Sequence, residues 1–235
     1  MERNILHILS ILALSMTLYS CSKGSDYEYL PVDNAPYSFI SDDQSNLAIG
    51  TVKEREGVRF IQLDPASAAF VVNPSEISEI PTGNRVFLEY RRVLSSETPE
   101  FCTEAILVEW TSPLDVGDIV YYMMAPEGDP VSIMPDWITS VEDGFLTIHY
   151  AFPSKGKASH SFSLNPEGPV GKDSYGFRLV HEANGDTEGE MTDGIICFPI
   201  GEDLFQSEGT ITFTLTYLSL ERTKKTLTFD YRSPK

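Results

Sequence analysis

Between Ile211 and Tyr217 the chain reads Ile-Thr-Phe-Thr-Leu-Thr-Tyr. Every second residue is apolar and each intervening one is threonine. Successive side chains of an extended chain point to opposite faces, so this segment is a strand with one buried and one wet face. Runs of the same kind fill the chain and turn residues separate them. One group comprises "NLAIGTVKE", "VRFIQLD" leading to "AAFVV", "NRVFLEYRRV", "EAILVEW" and "DIVYYMM". A second comprises "DWITSV", "GFLTIHYAF", "SHSFSL", "GFRLVHE", "DGIICFP", "TITFTLTYL" and "TLTFDY". Helical periods are almost absent, which predicts an all-β chain. In "RVFLEYRR", Val86, Leu88, Tyr90 and Arg92 share one face, with Phe87, Glu89 and Arg91 on the other. The stretch "APEGDP" at residues 125–130, with two prolines and a glycine, is the best internal boundary. The first group has the strand content of a small closed barrel of the OB type over residues 37–126, closure removing the exposed edges of a short sheet. The second predicts a β-sandwich over residues 127–235.

The N-terminus carries a different signal. An apolar run, "ILHILSILALSMTL", ends at Leu18-Tyr19-Ser20-Cys21. It is shorter than the roughly 20 residues a spanning helix needs, and it ends in small polar residues, as secretory signals do. The seam resembles the lipobox of bacterial lipoproteins, with Leu at −3, Ser at −1 and then cysteine. Residues 1–20 are therefore predicted to be a signal peptide, Cys21 the lipidated residue, and 21–36 a polar linker. Acyl chains on one cysteine anchor a protein durably, since each buried CH₂ contributes about 0.8 kcal/mol. Ser22 follows the cysteine where an inner-membrane retention signal would place aspartate, so an outer-membrane destination is expected, on either leaflet.

The chain of 235 residues carries a net charge of −18. Nucleic acid binding rests on Lys and Arg neutralising phosphates, so nucleic acid is excluded as a partner. The two remaining cysteines, Cys102 and Cys197, fall in different groups of strands and read as isolated buried thiols, a disulfide being the alternative. There is no Cys-x-x-Cys and no Gly-x-Ser-x-Gly, so redox, zinc-ribbon and nucleophile-elbow chemistry have no motif here. No catalytic set and no cofactor is expected.

Strand alternation sets the histidines. His149 belongs with Phe145 and Thr147 on the wetter side of its strand. His160 shares a face with Phe162 and Leu164, and His181 with Phe177 and Leu179. If Leu164 opposes Phe177 in an antiparallel pair, His160 lies across from His181. Such a pair is either a hydrogen-bonded couple at the sandwich rim or the start of a metal site or pH switch; a metal needs at least three protein ligands and only two are named. The loop "EANGDTEGEMTDG" at 182–194 gathers carboxylates but lacks the EF-hand order, and Asn184-Gly185 reads as a turn. Trp110 and Trp137 read as core aromatics, Trp137 with an exposed rim as its alternative.

The stretches "GNRVFLEY", "DWITSVEDGFLTIHYAF", "HSFSL" and "LVHEANGDT" resemble the NigD-like lipoproteins. The resemblance implies an OB-like first part, a β-sandwich second part and a possible link to bacteriocin immunity, and it brings no catalytic residues. The expectation is a non-enzymatic lipoprotein, held to the membrane by its lipid, that binds a protein, toxin or glycan. A carbohydrate- or protein-binding accessory of an outer-membrane complex is the alternative.

Overall fold

The structure, a computed structural model, describes residues 28–29, 39–40, 45–65, 67–171, 173–201 and 210–232. The predicted signal peptide, Cys21 and most of the linker lie outside the described residues.

The first sheet contains β1 (Phe39–Ile40), β2 (Asn46–Arg55), β3 (Val58–Leu63), β4 (Ser67–Val71), β5 (Arg85–Val93) and β6 (Glu104–Pro113). Its ring runs β2-β3-β4-β6-β5 and returns to β2, with β4 and β6 parallel and every other neighbour antiparallel. This is the five-stranded OB-like barrel expected from the strand content, and β1 adds to β2 outside the ring. Glu56 and Gly57, both at positive φ, make the two-residue turn that joins β2 to β3. A single 3-10 turn, Pro74–Ile77, leads towards β5 and plugs Ile77 into the barrel core with Val52, Ile61, Val86, Leu88 and Ile106.

The second half is a sandwich of two five-stranded sheets. One contains β7 (Asp115–Val116), β9 (Ser132–Ile133), β10 (Ser140–Glu142), β11 (Phe145–Ser154) and β14 (Glu190–Pro199). The other contains β8 (Asp118–Ile119), β12 (Ser161–Gly171), β13 (Ser174–Glu182), β15 (Thr210–Leu218) and β16 (Lys224–Arg232). Between them lies a core of Leu146, Ile148, Leu164, Leu179, Phe198 and Phe213. In β15 the apolar positions 211, 213, 215 and 217 are all buried while the threonines between them are not, as the alternation requires.

One strand changes partners. The run "DIVYYMM", read from the sequence as a barrel strand, supplies only Asp118–Ile119, which pairs in parallel with β12 of the sandwich. Just before it, β7 pairs in parallel with β14. The reason lies at Gly117, whose N–H bonds to the Cys197 carbonyl at 2.9 Å. A Cβ there would collide with the Phe198 ring, so glycine lets the backbone lie directly on the sandwich core.

The two bodies meet across polar groups. The β10–β11 hairpin turns on Asp143 and Gly144, both at positive φ, which aims the Asp143 carboxylate at Lys53 of β2, 2.5 Å away. Beside it, Arg85 at the start of β5 pairs with Asp64 and donates across the seam to Thr147 Oγ1 at 3.4 Å, its guanidinium lying 5.6 Å from the Phe145 ring centroid.

Candidate functional site

His160 and His181 lie together, His160 Nδ1 to His181 Nε2 at 2.9 Å. The ladder that brings them there is two residues away from the register read off the sequence: Leu164 pairs with Leu179, and Phe162 with His181. His160 sits just before β12 and reaches the pair diagonally. Stacking fixes the rings, with Phe152 on His160 at 4.0 Å between centroids and Phe162 on His181 at 4.6 Å. His181 Nδ1 lies 3.2 Å from the Pro130 carbonyl, which can only accept. His181 Nδ1 therefore carries the proton, Nε2 accepts from His160 Nδ1–H, and His160 Nε2 is left buried without a hydrogen-bond partner. Burial pushes the His181 pKa down, with His160 adding to that and the Pro130 carbonyl opposing it.

Asp186, from the acidic loop, stands 3.8 Å from His160 Nε2 but has other work. Its carboxylate accepts from the Lys155 and Lys157 amides at 3.0 and 2.9 Å and from Ser154 Oγ at 2.9 Å. Those bonds hold its pKa well below the usual carboxylate range. Asp186 thus closes the 154–158 loop, and Asn184 and Gly185, at positive φ, form the turn before it. Among the described residues no group of three or more His, Cys, Asp or Glu is placed to hold a metal ion. His149 lies between two carboxylates, Asp136 at 2.6 Å and Asp193 at 3.4 Å. Cys102 and Cys197 are both buried free thiols. Burial pushes the Cys197 thiol up to about 11, which leaves it unreactive at neutral pH.

Two surface features were hidden by strand alternation. Beyond β8 the chain leaves the sheet, and Tyr121, Met123 and Met124 stand 81% or more exposed. Tyr121 also lines a cavity of about 300 Å³, together with Ile119, Tyr175, Phe177 and Ile200. Four bulky residues in a row, Tyr121 to Met124, read as a strand because nothing local distinguishes an exposed apolar run from a buried one. The second feature corrects the reading of Trp110 as a core aromatic: it is half exposed on the outside of the barrel. Trp137, partly exposed, stands near it, the two linked through Phe87.

No curated protein matches the chain. Several solved structures share its fold. One is a provisionally named toxin-related protein from Parabacteroides distasonis, 20% identical, with a TM-score of 0.62 over 80% of this chain and 93% of that one. A NigD-like immunity protein from Bacteroides caccae is 17% identical, with a TM-score of 0.55 over 80% and 97%. A provisionally named lipoprotein from Bacteroides fragilis is 12% identical, with a TM-score of 0.53 over 82% and 100%. Among the described residues no helix is long and apolar enough to cross a membrane. Residues 125–231, the body of the sandwich, match the NigD-like C-terminal beta sandwich domain, so the resemblance read from the sequence holds for this half of the chain.

Proposed function

We propose that this chain is a non-enzymatic lipoprotein, tethered to the outer membrane through Cys21, that binds a protein partner at the cell envelope. The observation that carries the binding role is the exposed Tyr121–Met124 segment beside its apolar cavity. Contiguous apolar surface of this kind marks interaction sites, and methionine side chains repack around varied partners. The fold it shares with an immunity protein supports a toxin as that partner, neutralised by capture before it reaches its target. A photo-crosslinker at position 123 in the native lipoprotein, followed by mass spectrometry, tests this. One protein is expected to cross-link, and Met124→Glu should abolish it. Recovery of lipid alone, or labelling unchanged by Met124→Glu, would reject a protein partner here. For the tether, Cys21→Ala should move the protein from the membrane to the soluble fraction, and an unmodified N-terminal peptide would reject the anchor.

A further inference from the structure

Trp110 stands where the alternation of its own strand forbids it. On β6, Ile106 and Val108 face the barrel core, and position 110 should follow them inward. The β5–β6 ladder slips at this point: Glu89 pairs with Trp110, but Tyr90 pairs with Val108, leaving Glu109 as an extra residue. That bulge turns Glu109 and Trp110 outward together and leaves Trp110 48% exposed. Its ring and that of Phe87 meet in a T-shaped arrangement at 5.8 Å between centroids, and Phe87 stacks on Trp137 at 6.1 Å. Three aromatic rings thus run from the barrel onto the sandwich.

The same face of β5 continues beyond them. Phe87, Glu89 and Arg91 follow at every second position, and the strand to Val93 spans about 20 Å. Arg91 Nε lies 2.7 Å from Glu109 Oε1 in an ion pair, and the guanidinium lies 5.5 Å from the Tyr29 ring, itself partly exposed. The strip therefore reads aromatic cluster, carboxylate and guanidinium, then aromatic again.

We infer that this strip binds a neutral linear saccharide of several residues. The C–H-rich faces of pyranose rings stack on aromatic faces, whose quadrupole is negative. Sugar hydroxyls both donate and accept, and an Arg–Glu pair offers both roles at one place. Charge selects against other occupants: the protein carries −18, and Glu89 and Glu109 sit in the strip, so a polyanion is repelled. The strip lies on the outside of a closed barrel, a convex surface, whereas an apolar side chain needs a recess such as the one beside Tyr121. This ligand is additional to the protein partner proposed above and uses different residues.

The chain has two tryptophans, and both belong to this aromatic cluster, so intrinsic fluorescence reports on it directly. Neutral linear hexasaccharides of glucose, xylose and mannose would be titrated into the full lipoprotein, with polygalacturonate and a proline-rich peptide run beside them. We expect a saturable emission change with at least one neutral hexasaccharide. Affinity should fall tenfold or more in Trp110→Ala and several-fold in Arg91→Ala, with both variants still unfolding cooperatively, since each side chain is partly exposed. Binding measured by calorimetry should show the same losses, which separates a lost ligand from a lost fluorophore. Failure of all three hexasaccharides at millimolar concentration, full affinity in Trp110→Ala, or saturation only by polygalacturonate or the peptide would overturn the inference. Cross-linking at position 123 should be unaffected by Trp110→Ala, so either proposal can fail alone.

Discussion

Arg85 and Asp64 face each other in a bidentate ion pair with almost no access to water, the arginine side chain fully buried and the aspartate 6% exposed. Thr51 accepts from the same guanidinium at 3.2 Å. Burial pushes the Asp64 pKa up and Arg85 pulls against it, and the permanent charge of the guanidinium keeps the pair ionised.

Removing one partner leaves the other charged and buried. Arg85→Met should therefore cost on the order of 3–5 kcal/mol. Replacing both partners, as Arg85→Met with Asp64→Leu, should recover much of that loss. Urea denaturation of the two variants checks it, and equal stability in both would show that the pair is not the source of the cost.

Acid should weaken the sandwich through His181. Its folded pKa lies below the ordinary imidazole value, so the unfolded chain binds the proton more readily. The contribution is full above the unfolded value near 6.5 and is lost as pH falls through the folded value. His181→Gln should flatten the stability profile on that acid limb. A profile measured between neutral pH and mild acid that keeps its slope in the variant would contradict this.

Glu142 should act in the opposite sense. Burial pushes its pKa up to about 7, with Asp64 and Asp143 adding to it and Arg85 opposing. A raised carboxyl contributes stability that is complete below its unfolded value and lost as pH rises through the folded one. Glu142→Gln is expected to raise the melting temperature at and above neutrality and to change little below the ordinary carboxyl value of 4.5. Glu142 and His181 thus pull in opposite directions across the same mildly acidic window.

The sandwich needs strands that precede the "APEGDP" stretch. A fragment of residues 114–235 retains β7 and β8, whereas one of residues 128–235 loses both edge pairings and the Gly117 contact with Phe198. The longer fragment should unfold cooperatively and at clearly higher urea concentration. Equal midpoints would show that Asp115–Ile119 adds nothing to the fold.

Much of this architecture was legible because period-two alternation is a local property. Ile211–Tyr217 states its buried face outright, and Asn184-Gly185 states its turn. The histidine pair was legible by face but not by register, since Leu164 fits equally well against Phe177 or Leu179. Trp110 was misread because a bulge is a property of two strands together: nothing within "EAILVEW" reveals that the partner strand falls one residue short. The destination of Asp115–Ile119 was equally hidden. It depends on how Gly117 meets Phe198, eighty-one positions further along the chain.

One residue, Leu114, separates the last barrel strand from the first sandwich strand, and its N–H is already held by the Arg85 carbonyl at 2.9 Å. The crossing has no slack in which to store a hinge. With Lys53 clamped to Asp143 beside it, the molecule behaves as a caliper with a locked jaw. Spin labels at Glu76 and Lys157 should then give one narrow distance distribution, with or without ligand. Whatever occupies the aromatic strip would be held at a constant reach from whatever docks at Tyr121–Met124.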